Sequence, residues 1–205
     1  MLQAPGLLDL GQTPAEQITP VIVPGWRDSG PGRWQTLWSE SLSPVHRVVQ
    51  DDWASPVRAA WVQALARQIL AIDGPVVVVA HSLGVITTLH LPPEAASRIV
   101  GALLVAPADP ERRALLSDFA PVPSELLPYR SVLVASTNDP YCPVRLAGAY
   151  ARAWGSEFVR VPNAGHLNVE SGHGHWPLGL ALLQSLLGGH ELPRPNSLPR
   201  PLETV

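Results

Sequence analysis

One cysteine, Cys142, is all the chain has in 205 residues. No internal disulfide can form, and a reducing cytoplasm is the compartment this usage favours. Charge is scarce too: charged residues make up 15% of the chain and the formal net charge is −3. The basic residues are scattered and form no long run. That excludes the electrostatic footprint of a nucleic-acid binder and a polybasic membrane patch. Long hydrophobic runs are missing as well. The longest, around Val76 to Ala80, is a few residues long, against the ~20 that a membrane-spanning helix needs. The opening Met1-Leu2-Gln3-Ala4-Pro5 has no basic stretch leading into an apolar one, so it does not read as a signal peptide. There is no internal repeat.

What is present is a globular composition. Hydrophobic residues reach 46%, enough for one domain of this length to bury a core without metal or disulfide support. The domain is expected over 19–188. Residues 1–18 and 189–205, with Pro193, Pro195, Pro199 and Pro201 in the latter, read as tails.

Between them, short apolar runs alternate with amphipathic stretches. Strands are expected at Thr19–Val23, Arg47–Gln50, Pro75–Ala80, Ile99–Val105, Ser131–Ser136 and Phe158–Val161. Helices are expected at Arg33–Leu42, Pro56–Ile72, from near Ser82, at Pro143–Trp154 and at Pro177–Leu187. Pro56 suits a first helical turn, and Asp73-Gly74 a stop. The four valines Val76–Val79 suit a strand buried on both faces. Strands alternating with helices imply a mostly parallel α/β sheet of about six strands with helices on both sides. Ligands then bind at the carboxyl ends of the strands, so the polar residues that follow each strand matter most.

Ala80-His81-Ser82-Leu83-Gly84 follows the four-valine strand. It resembles the G-x-S-x-G nucleophile elbow in its expected strand–turn–helix setting. The positions two before and two after the serine must be small because the turn brings them together. Gly84 meets this fully, and Ala80 departs by one methyl. As a bare pentapeptide it could equally be a helix cap.

A serine hydroxyl needs a base to become a nucleophile. His166, in Asn163-Ala164-Gly165-His166, follows the last strand, and Asp139, in Thr137-Asn138-Asp139-Pro140, follows the strand before it. The order Ser82, Asp139, His166 is the one such folds use. Singly, Asp139 could be a turn residue and His166 a loop histidine; jointly, in order and each at a strand end, they predict a catalytic triad.

Other candidates are Asp109 as a second-choice acid and His81, whose side chain should point away from Ser82. A metal site from His166, His173 and His175 lacks a carboxylate or cysteine cluster, so no metal or cofactor is expected. Cys142, beside Pro143, could have a lowered pKa but reads better as a half-buried structural thiol. Backbone N–H groups of Leu83 and Trp26 are the expected oxyanion donors, with Gly25 keeping the second loop bare. Gly25, Trp34 and Trp53 are candidates for lining the substrate pocket, although such tryptophans are more often core.

Val21-Ile22-Val23-Pro24-Gly25, Arg33-Trp34-Gln35 with Trp38, and Gln50-Asp51-Asp52-Trp53 with Pro56 and Trp61 add a further signal. So do Ala80–Gly84 and Gly165-His166-Leu167-Asn168 with Ser171, Gly172, Gly174, Trp176 and Pro177. Over roughly 19–187 these blocks resemble, in order, the YdeN-like serine hydrolases, relatives of human retinoblastoma-binding protein 9. The resemblance implies a minimal α/β-hydrolase without a large lid, its triad at Ser82, Asp139 and His166. The retinoblastoma-binding motif L-x-C-x-E is absent, so that partner is not implied. The expected activity is hydrolysis of a small ester, thioester or activated amide, carboxylesterase-like or peptidase-like, with that small molecule as the partner. The competing class is a protein-binding module that keeps the fold with little turnover.

Overall fold

The computed structural model describes residues 17–188, so the two expected tails, apart from Gln17 and Ile18, lie outside the described residues. Six parallel strands form one sheet: β1 (Thr19–Val23), β2 (His46–Arg47), β3 (Val76–His81), β4 (Ile99–Val105), β5 (Arg130–Ser136) and β6 (Glu157–Val161), in the order β2-β1-β3-β4-β5-β6. The helices are α1 (Trp34–Ser41), α2 (Arg58–Leu70), α3 (Leu83–Leu89), α4 (Pro93–Ala96), α5 (Val144–Trp154) and α6 (Pro177–Gly188). Among the described residues this is an α/β fold without a lid domain.

The central strands carry nearly continuous apolar runs, as in Val76–Ala80 and Val132–Ala135, because helices cover both faces. Alternate residues point to opposite sides. Val21, Val76, Val78 and Leu104 pack with Leu65 and Ile69 of α2, Val85 of α3, and Ala147 and Trp154 of α5. Ile22, Val77, Val79, Leu103 and Val132 pack with Trp34 and Trp38 of α1 and with Leu182, Leu183 and Leu186 of α6. Each fully buried valine or leucine contributes about 1.5–3 kcal/mol, so these two layers dominate stability.

Several element boundaries shift by one to three residues from those expected, and some short elements are new. The strand expected at Arg47–Gln50 is His46–Arg47, with Val48 N–H still donating to Ile22 O. The helix expected from Pro56 begins at Arg58, whose N–H is accepted by Asp118 Oδ2 at 2.6 Å. Between β4 and β5, two 3₁₀ segments, Pro110–Arg112 and Ala114–Phe119, wrap the carboxyl end of the sheet. Nothing in the hydrophobic periodicity marks them, because 3₁₀ turns are short and locally determined.

Chain reversal places the site. From β1 the sheet grows to β2 on one side and β3 on the other, and a crevice opens at such a reversal. The β1 loop and the β3–α3 turn meet there. A Cβ on Gly84 would stand 2.3 Å from Val23 O and 2.6 Å from Pro24 O, both rigid backbone. Gly84→Ala is therefore expected to lose about 3 kcal/mol, the upper end of ordinary overpacking. Gly148→Ala in α5, where the nearest atom would be Phe158 Cε1 at 3.6 Å, should gain up to about 1 kcal/mol from helix propensity. Urea unfolding of both variants checks this; equal stabilities would contradict the close approach at Gly84.

Candidate active site

Ser82 sits between β3 and α3 with φ 54° and ψ −119°. A non-glycine residue holds such a conformation at a cost of about 1–3 kcal/mol. The surroundings fix it: Ser82 N–H donates to Val105 O at 2.9 Å, and Ser82 O accepts from Val85 and Ala108 N–H. On the other side Gly25 comes so near that a Cβ there would be 2.8 Å from Ser82 Cβ. Ala80 is fully buried, and its single methyl is accommodated.

The Ser82 hydroxyl lies 3.0 Å from His166 Nε2, and His166 Nδ1 lies 2.9 Å from Asp139 Oδ2 and 3.1 Å from Oδ1. A carboxylate only accepts, so Nδ1 carries the proton and Nε2 accepts from the serine. The Asp139 side chain is 1% exposed and that of His166 10%. Asp139 Oδ1 also accepts from Tyr141 N–H at 2.8 Å.

The acid and base loops are bound to one another. Ser136 Oγ donates to Asn138 Oδ1 at 2.8 Å and accepts from Ala164 N–H at 2.9 Å. Asn138 Oδ1 accepts in turn from Gly165 N–H at 2.8 Å, and Thr137 Oγ1 from Asn163 N–H at 2.9 Å. Ser136, Asn138 and Thr137 were not among the expected site residues. In sequence, small polar residues after a strand look like any turn.

His81 turns away from Ser82. Its Nε2 lies 2.9 Å from the carbonyl of His166, so this nitrogen donates, and its ring contacts those of His166 and Trp34. Burial, aided by the nearby His166, pushes its pKa down to about 3. An unfolded chain takes up that proton near pH 6.5, whereas the folded chain resists it down to about 3. Above neutrality the residue leaves stability unchanged. Between pH 6.5 and 3 acidification favours unfolding, by up to about 1.4 kcal/mol per pH unit. The melting temperature should fall across that window, and less steeply in His81→Phe. Parallel curves would assign the acid lability elsewhere.

A cavity of about 500 Å³ opens over Ser82, lined among others by Gly25, Trp26, Asp109, Arg113, Tyr141 and His166. Among the described residues, the N–H groups of Leu83 and Trp26 have no protein acceptor. The Gly25 turn brings them together: a Cβ on Gly25 would be 3.4 Å from Leu83 N.

Two expectations about the pocket are corrected. Trp34 is fully buried, donates Nε1–H to Leu167 O at 2.9 Å and packs against Trp38 and Trp176. It supports the His166 loop from the core side. Trp53 packs edge-on against Trp61, beside Leu83 and Phe119. Neither lines the cavity, because each belongs to an aromatic core cluster. Asp109 reaches the cavity, but its carboxylate accepts from Glu111 N–H. Burial and the neighbouring Asp139 and Asp109 push the Cys142 thiol up to about 12, so its position at a helix start does not lower it. His173 bonds Ser171, His175 is exposed, and no metal-holding cluster occurs among the described residues.

The sequence profile described as "Serine hydrolase" matches residues 20–185. The chain belongs to the serine hydrolase family. This serine hydrolase is 34% identical to a YdeN-like hydrolase from Pectobacterium atrosepticum, over 84% of this chain and 91% of that one, with a TM-score of 0.77. The ydeN gene product of B. subtilis shares the fold at 18% identity, 83% and 99% coverage and a TM-score of 0.71. A thermophilic esterase from Thermogutta terrifontis shares it at 16% identity, 85% and 91% coverage and a TM-score of 0.62. No curated protein matches the chain. No helix among the described residues is long and apolar enough to cross a membrane.

Proposed function

We propose that this serine hydrolase cleaves small esters, thioesters or activated amides through an acyl-enzyme on Ser82. The observation that carries the proposal is the relay from Ser82 Oγ through His166 to the buried Asp139 carboxylate, at 3.0 and 2.9 Å. Ser82 Oγ attacks the carbonyl carbon as its proton passes to His166 Nε2. Asp139 holds the imidazole tautomer and stabilises the imidazolium without taking the proton. The oxygen that gains charge is met by the N–H groups of Leu83 and Trp26. Collapse of the tetrahedral adduct breaks the bond to the leaving group, which takes the proton from Nε2. Water then attacks the acyl-enzyme, with His166 again as base, and releases the acid and Ser82.

A carboxylesterase-like activity on a small ester suits a cavity of about 500 Å³, a usual size for a small-molecule site. The expected compartment is the cytoplasm, where a lone buried cysteine is at no disadvantage.

The test is intact-mass analysis after exposure to a fluorophosphonate, with Ser82→Ala in parallel. One adduct on the wild type, located on Ser82, and none on the variant is the expected result. No adduct on a folded wild type would overturn the proposal in favour of a binding module that keeps the fold.

A further inference from the structure

The cavity over Ser82 is lined by three arginines and three carboxylates, and two of the arginines are in no ion pair among the described residues. Every basic residue among the 14 in the chain is arginine, and Arg27, Arg33 and Arg113 line the cavity. Arg33 is held by Glu170 at 3.1 Å. Asp28, also in the wall, is taken by Arg47 at 2.6 Å. Asp109 spends Oδ1 on the N–H of Glu111. Among the described residues Arg27 and Arg113 have no carboxylate partner.

These two guanidinium groups are nonetheless placed. Arg27 lies over the Trp26 ring, 4.4 Å from its centroid. Arg113 lies 5.4 Å from the same ring and 4.7 Å from that of Tyr141. Aromatic faces at such distances attract a cation but leave its N–H donors unused. Tyr141 in turn contacts the His166 ring edge-on, with centroids 4.5 Å apart. Arg113 is thus one ring removed from the reacting histidine, on the same cavity.

We propose that the substrate carries a carboxylate away from the scissile carbonyl, and that Arg113, assisted by Arg27, receives it. The class is a monoester or monothioester of a dicarboxylic acid, or an ester with an acidic leaving group. A guanidinium presents paired donors that match a carboxylate bidentately. Its stacked position reduces the side-chain freedom lost on binding. This inference rests on Ser82 as the nucleophile.

The test uses two fluorophosphonates with the same alkyl chain, one ending in a carboxylate and one in its methyl ester. In each, Ser82 Oγ forms a bond to phosphorus, fluoride leaves and the serine proton goes to His166. Labelling rates are measured by intact mass on the full chain. The wild type should react about tenfold faster with the acid-ended probe, the scale of a charge-assisted hydrogen bond. Arg113→Gln should bring the ratio close to one. Arg152→Gln, which removes the same charge from a groove outside the cavity, should keep it. Raising salt should lower the wild-type ratio. Equal rates of the two probes on wild-type Ser82 would overturn the carboxylate inference and leave the nucleophile standing. A preference unchanged in Arg113→Gln would overturn it too. Labelling by neither probe would overturn the serine-hydrolase mechanism and this inference with it.

Discussion

Ser82→Ala is expected to lower kcat on a p-nitrophenyl ester by about 10⁶, with the melting temperature held within a few degrees. Alanine keeps the Cβ, so the demands of φ 54° and the contact with Gly25 are unchanged. Only the hydroxyl disappears, and with it the atom that attacks. What remains over the uncatalysed rate would come from binding and from the N–H groups of Leu83 and Trp26. Steady-state rates beside a thermal melt read both halves of the expectation. Retention of a tenth of the activity would place the nucleophile elsewhere.

Asp139→Asn is expected to cost about 10⁴ in kcat with little change in KM. The carboxyl side chain is 1% exposed and accepts both from His166 Nδ1–H and from Tyr141 N–H. An amide can turn its NH₂ toward Nδ1. The imidazole then carries its proton on Nε2 and can no longer accept from Ser82. The imidazolium formed during attack also loses its counter-charge. Asp109→Asn should be mild, since that side chain is bonded to the neighbouring backbone. If Asp109→Asn proves the damaging change, the acid has been misassigned.

Strand content was the most readable part of the chain, because buried parallel strands leave continuous apolar runs such as Val76–Ala80. From there the fold fixes which loops converge, and that is why residues as far apart as Ser82, Asp139 and His166 could be grouped before any geometry was known. The tryptophans show the opposite case. Trp26 and Trp34 are the same side chain near the same strand. One lines the cavity and the other is fully buried against Trp38 and Trp176. The spacing of Trp34, Leu37 and Trp38 signals one helix face without saying that α6 covers it. Arg113 was illegible for a related reason. It lies between the two 3₁₀ segments that join β4 to β5, where local turns replace periodicity and placement depends on Trp26 and Tyr141 from distant segments.

The clamp from Ser136, Thr137 and Asn138 to Asn163, Ala164 and Gly165 makes the acid loop and the base loop one exchangeable cassette. A graft of the His166 loop alone into a related scaffold would arrive without the acceptors that shape its backbone. A graft that also carries 136–139 would bring its own jig. Substitutions meant to retarget the pocket are accordingly better placed on the Arg27 and Arg113 side chains, outside this cassette.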